Sequence, residues 1–181
     1  MKRYDNPKKG TWVELTKRPE IDAEELMPLV KEVFEQVEKQ GDSALIKYTR
    51  LFDHKEIRDV IVDPKDIAEA DQNVSNELKK AIDTAITNIK RFHASQLTGS
   101  IVIETTAGLE CWRVQRGIEK VGIYVPGGEA PLFSTVLMLA IPAKLAGCKE
   151  VILCTPPNEI GTVDNAILYA AHKSCRFSKK V

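Results

Sequence analysis

Val121-Gly122-Ile123-Tyr124-Val125-Pro126-Gly127-Gly128-Glu129-Ala130-Pro131-Leu132 is followed by an apolar run from Phe133 to Gly147 and a strand-like run at Glu150 to Thr155. Val121, Ile123 and Val125 alternate with Gly122 and Tyr124, which is the period of a strand. Pro126 holds Val125 extended, and Gly127-Gly128 allows a tight turn. Pro131 suits a first helical turn, because its missing N–H would be unpaired there anyway. Val136 to Ile141 is apolar on all sides, which predicts a buried rather than amphipathic helix, and Gly147 ends it. Strand, glycine loop, helix and strand make a βαβ unit, so a parallel pair with a right-handed crossover is expected.

Composition narrows the function classes. The chain has 181 residues, 43% hydrophobic, with 26 basic against 26 acidic side chains. That balance proposes neither nucleic acid nor an anionic membrane as partner. The longest apolar stretch, Leu132 to Ile141, is too short to span a bilayer, and Met1 to Arg18 has no signal-peptide pattern. A cytoplasmic location is expected. Cys111, Cys148, Cys154 and Cys175 form no CxxC pair and read as reduced, with Cys148 and Cys154 as small core side chains. His54, His93 and His172 lie far apart, none with a partner at helical metal-ligand spacing, so a zinc site within the chain is not expected.

Upstream, Met1 to Pro19 reads as a loosely held basic arm with a short strand at Trp12 to Leu15. Leu26, Leu29, Val30, Val33 and Val37 recur at helical spacing up to Gly41. Asp22 can cap that helix, while Pro28 either kinks it or marks its true start. Asp42 caps a second helix over Ser43 to Leu51, closing a helical hairpin. Ile57 to Val62 is strand-like. Asp63-Pro64 opens a short helix, and Ser75 caps a long one with Leu78, Ile82, Ala85, Ile86, Ile89 and Phe92 along one stripe. His93, near its end, suits the helix dipole. Ile101 to Thr106 and Leu109 to Gln115 read as a β-hairpin around Ala107-Gly108, with Trp112 packing a sheet face. A last helix is expected over Val163 to Ala171.

The glycine loop is neither a Walker loop, since no Lys-Ser or Lys-Thr follows Gly128, nor a G-x-G-x-x-G fingerprint. No acidic residue ends the strand at Glu150 to Thr155, where a ribose-binding carboxylate would be expected. Two readings stay open: backbone N–H groups near Gly127 and Gly128 facing a polar or anionic ligand, or a purely structural turn. The loop Pro156-Pro157-Asn158 lies at a strand's carboxyl end, where open α/β sheets bind ligands.

Val121 to Leu132, with Ser134 to Met138 and Pro142 to Cys148 behind it, resembles the signature region of the histidinol dehydrogenases. A second block, Gly41 to Leu45 with Tyr48-Thr49 and Phe52-Asp53, is similar to that family's N-terminal part. The resemblance extends over residues 20 to 172 and implies an N-terminal portion of a longer chain. It implies a partial Rossmann-like (aldehyde-dehydrogenase-like) three-layer α/β domain, preceded by an N-terminal helical arm and a β-hairpin. The expected division is an arm and helical hairpin over 1–55 and an incomplete nucleotide-binding-type domain over 56–181. It implies NAD and zinc as cofactors, L-histidinol as substrate and a homodimer tied partly by N-terminal helices.

In the family the tyrosine of the motif, here Tyr124, is a cofactor-binding position. Gly127, Gly128, Ser134 and Thr135 are the further cofactor-site candidates, with Glu129 beside them. The family's zinc ligands and its glutamate-histidine pair match no position here, so no catalytic residue is assigned. Turnover by the 181 residues alone is not expected. The competing reading is a non-catalytic binding or dimerisation module derived from the same family. An unfinished parallel sheet would leave an open edge and an uncovered apolar face, which predicts oligomerisation.

Overall fold

The computed structural model describes residues 3–18, 24–127 and 130–174, which form two compact units divided between Gly41 and Asp42. In the first unit a 3-10 turn, Lys9–Thr11, leads into helix α1, Trp12–Thr16. The expected strand at Trp12 to Leu15 is therefore helical. Local bonds decide it: Thr11 Oγ1 donates to the Lys8 carbonyl at 2.8 Å, Trp12 Nε1 to that of Pro7 at 3.0 Å, and Thr16 Oγ1 to that of Trp12 at 2.7 Å. Helix α2, Met27–Gln40, carries Pro28 in its first turn, where no N–H is missed, so the later of the two possible starts is the one adopted. Asp22 lies outside the described residues. Met27, Leu29, Val30 and Phe34 are exposed within this unit.

The second unit opens with α3, Asp42–Tyr48, which passes into a π-helical turn, Thr49–Asp53, rather than running on to Leu51. His54, left-handed at φ 55, ends it, and the Tyr48 and Phe52 rings stack at 5.5 Å. Ile57 to Val62, expected as a strand, forms none. Val60 and Ile61 are exposed and no ladder joins the segment to a neighbour, and strand propensity without a partner does not make a strand.

Helix α4, Pro64–Asn73, and helix α5, Asn76–Ala94, start as their caps predict. Asp63 Oδ1 accepts from the Lys65 N–H at 2.8 Å, and Ser75 Oγ from that of Leu78 at 3.2 Å. Ile82 of α5 is fully buried, and Leu78, Ala85, Ile86 and Ile89 pack on the same core. Phe92 departs from the expected stripe, exposed and edge-on to His93 at 5.2 Å. His93 Nδ1 pairs with Gln96 Oε1 at 2.7 Å, a local contact at the helix end.

Strands β1, Val102–Thr106, and β2, Leu109–Trp112, form the antiparallel hairpin. Gly108 takes φ 79 at its turn, and its N–H reaches Glu104 Oε1 at 2.7 Å. Trp112 does not pack as expected, because both faces of the hairpin are exposed.

Strands β3, Lys120–Tyr124, and β4, Glu150–Cys154, pair in parallel from Lys120↔Glu150 to Tyr124↔Cys154, joined through α6, Phe133–Leu145. The expected βαβ unit is present. Pro131 stands ahead of the N-cap Leu132 rather than inside the helix, and Gly147, at φ 88, follows its end. Helix α6 buries Val136, Leu137, Ala140 and Ile141, whereas Met138 and Leu139 are exposed, so it is not covered all round. Helix α7, Asn165–Ser174, begins two residues later than expected because the Asp164 carboxylate accepts from the Ala166 N–H at 2.7 Å.

The core lies between one face of the β3–β4 pair, through Ile123, Val125, Val151 and Leu153, and helices α5, α6 and α7. The other face, with Tyr124, Ile152 and Cys154, is exposed. The result is a mixed α/β protein. Among the described residues no helix is long and apolar enough to cross a membrane.

Candidate functional site

One parallel ladder positions the principal cleft. The Val125 N–H donates to the Cys154 carbonyl at 2.9 Å, extending the pairing by a residue and bringing Pro126 and Gly127 beside Thr155 and Pro156. A cleft of about 700 Å³ opens there, at the carboxyl ends of β3 and β4. Its size falls within the roughly 300–1,000 Å³ typical of small-molecule sites, and its place is where α/β sheets take ligands.

Tyr124, Pro126, Gly127, Ala130 and Pro131 line one side, and Thr155 to Glu159 with Asp164 and Ile167 the other. Asp53, the last residue of the π-helical turn, and Lys55, just beyond it, complete it.

The second wall is held by its own bonds. Asn158 Oδ1 accepts from the Ile160 N–H at 3.1 Å and the Thr162 N–H at 3.0 Å, while the Asn158 N–H donates to the Thr162 carbonyl at 2.7 Å. One side chain thus folds the loop back on itself. Thr155 Oγ1 is buried with no hydrogen-bond partner among the described residues, and such a group is satisfied when a ligand supplies one. Three carboxylates, those of Asp53, Glu159 and Asp164, face one ammonium, that of Lys55.

The structure brings Tyr124 and Gly127 together in this cleft, with Tyr124 63% exposed. Gly128 and Glu129 lie outside the described residues. Ser134 is exposed and Thr135 half-buried in the first turn of α6, where the Thr135 N–H caps onto the Leu132 carbonyl at 3.0 Å, and neither is among the residues lining the cleft. Lys55, Thr155, Glu159 and Asp164 were not legible as lining residues. Only the Pro156-Pro157-Asn158 loop pointed to part of their neighbourhood.

Gly127 is a close approach. A Cβ there would stand 2.8 Å from Cγ of Pro156, a ring that cannot rotate away. Gly127→Ala is expected to cost about 1–3 kcal/mol and to displace the Pro156 wall. Thermal unfolding checks this, and an unchanged Tm would show that the wall yields freely.

A β3–α6–β4 unit with a ligand-sized cleft at its carboxyl ends defines an α/β protein with a candidate small-molecule site. A family model described as histidinol dehydrogenase matches residues 16–176. The chain belongs to the histidinol dehydrogenase family. It is 47% identical over 171 residues to a histidinol dehydrogenase of Bacteroides thetaiotaomicron, covering 94% of this chain and 40% of that protein. A Campylobacter jejuni histidinol dehydrogenase is 43% identical over 169 residues, covering 93% and 39%. The crystal structure of histidinol dehydrogenase from Elizabethkingia anophelis superposes with a TM-score of 0.86 at 51% identity, covering 94% of this chain and 40% of that one. The chain thus spans about 40% of the length of these relatives.

Proposed function

We propose that these residues form the dinucleotide-binding side of a histidinol dehydrogenase, which oxidises L-histidinol to L-histidine in two successive NAD-dependent steps. The observation that carries the reading is the cleft at the carboxyl ends of β3 and β4, with Tyr124 and Gly127 facing Thr155 and Pro156. NAD, when bound, accepts the hydride. The chain's own groups bind and orient: the Tyr124 phenol by stacking or donating to a hydroxyl, the Thr155 hydroxyl by pairing with a polar ligand atom, and the Asp53 carboxylate by accepting from ribose hydroxyls. Gly127 keeps the backbone close enough to touch the ligand. Gly128, Ser134 and Thr135 belong to the proposed cofactor site on the family resemblance alone.

Zinc does not fit the described residues, among which no three His, Cys, Asp or Glu side chains gather as a metal set. In this reading the zinc and acid–base groups lie elsewhere in the enzyme, and the 181 residues by themselves do not turn over. A three-layer Rossmann-like domain over 56–181, an arm and helical hairpin over 1–55, a cytoplasmic homodimer and L-histidinol as substrate complete the proposal. The exposed apolar stripe on α2 favours, as second reading, a dimerisation module of the same ancestry.

Calorimetric titration of NAD into the chain and its Tyr124→Ala variant tests the first reading. Saturable binding weakened roughly tenfold by the substitution is expected, together with no NADH formed from histidinol by the isolated chain. Equal affinity in both proteins would move the cofactor away from Tyr124 and leave the module as the better account.

A further inference from the structure

Lys55 is the one cation among the described residues lining the cleft, and its side chain is only 18% exposed. Its ammonium pairs with the Glu159 carboxylate, whose side chain is 90% exposed on the rim loop. The two ends of this pair are unequal. A largely buried ammonium is costly without an anion beside it, whereas an exposed carboxylate returns to water at little cost.

An anion entering the cleft has one place to go. Asp53 and Asp164 repel it, and Asp164 is already engaged by the Ala166 N–H. We propose that Lys55 and Glu159 form an exchangeable latch. Without ligand Glu159 neutralises Lys55, and on binding a phosphate of the dinucleotide takes over the ammonium while Glu159 is released to solvent. Lys55 is then paired in both states, and the phosphate pays no penalty against an empty acidic wall. The latch also selects for ligands carrying phosphate, since a neutral nucleoside cannot displace a carboxylate. This rests on the dinucleotide reading of the cleft and adds to it a named anion contact and a built-in competitor.

The two residues make opposite predictions. NAD, inorganic pyrophosphate and adenosine, a neutral nucleoside without phosphate, would be titrated into the unaltered chain and into Lys55→Gln and Glu159→Gln. Lys55→Gln should weaken NAD and pyrophosphate by roughly tenfold. Glu159→Gln, at an exposed position that leaves folding intact, should tighten both severalfold, and adenosine should be indifferent to either change. Equal NAD affinity in the unaltered chain and in Lys55→Gln overturns the latch while the dinucleotide reading stands. Equal weakening of adenosine and NAD by Lys55→Gln overturns it too, by making Lys55 a mere structural prop. No NAD binding to the unaltered chain removes the dinucleotide reading and the latch together.

Discussion

Leu137→Ala should lower stability by about 2–5 kcal/mol, because Leu137 is fully buried at the centre of α6 and its removal leaves a cavity. It belongs to one buried cluster with Val136, Ala140 and Ile141 of the same helix and inward side chains of β3, β4, α5 and α7. Domains are stable by only about 5–15 kcal/mol, so the variant is expected to lose much of its margin, with a fall in Tm on the order of 10 °C. Met138→Ala, one residue on and 51% exposed, is the control. It should cost about 0.5 kcal/mol. Comparable losses in the two variants would mean that α6 is not seated as described.

Gly117→Ala is the second large effect, and its cause is backbone against backbone. A Cβ on Gly117 would press into the carbonyl group of Ala146 and stand 3.0 Å from the carbonyl carbon of Gly147, just beyond the end of α6. No side-chain rotation relieves that contact. The same junction carries the Lys149 N–H to the Glu119 carbonyl at 2.9 Å and the Glu150 N–H to the same oxygen at 3.1 Å, which set the register of the parallel pair. The substitution is expected to cost about 3 kcal/mol, at the upper end for overpacking. Urea unfolding should show an earlier midpoint, and hydrogen exchange should show lost protection at Val121 to Tyr124. Full protection with an unchanged midpoint would defeat the explanation.

The βαβ unit was legible because its signals agree at every level. Alternation in Val121 to Val125, an apolar helix and glycines at both ends leave one arrangement that buries the apolar residues, and β3, α6 and β4 form it. Asp63 and Ser75 were legible for a similar reason, since a cap acts within three residues of itself. The misread segments are those where propensity competes with partners. Trp12 to Leu15 has strand-forming residues, but the Lys8–Thr11 turn and the Trp12 indole bond wind it into a helix. Ile57 to Val62 has them too and finds no ladder.

Part of the cleft could be read and part could not. Tyr124 and Gly127 sit in one motif, so their proximity is a matter of local sequence. Lys55 and Glu159 meet only because the segment after α3 and the loop after β4 are brought to the same end of the sheet, a contact with no sequence signature. Trp112 and Phe92 show the same limit, since their apolar character says nothing about whether a neighbour exists to cover them.

The parallel pairing of β3 with β4 also sets an order of assembly. The hairpin of β1 and β2 closes across a two-residue turn and can form in microseconds on its own. Lys120 and Glu150 can meet only after the intervening chain has been gathered, and the entropy of that closure comes before any ladder bond is made. In the folded chain α6 packs against α5 and α7. The cleft lies at the ends of that ladder, so it is expected to be among the last features to acquire its shape, after the helices have docked.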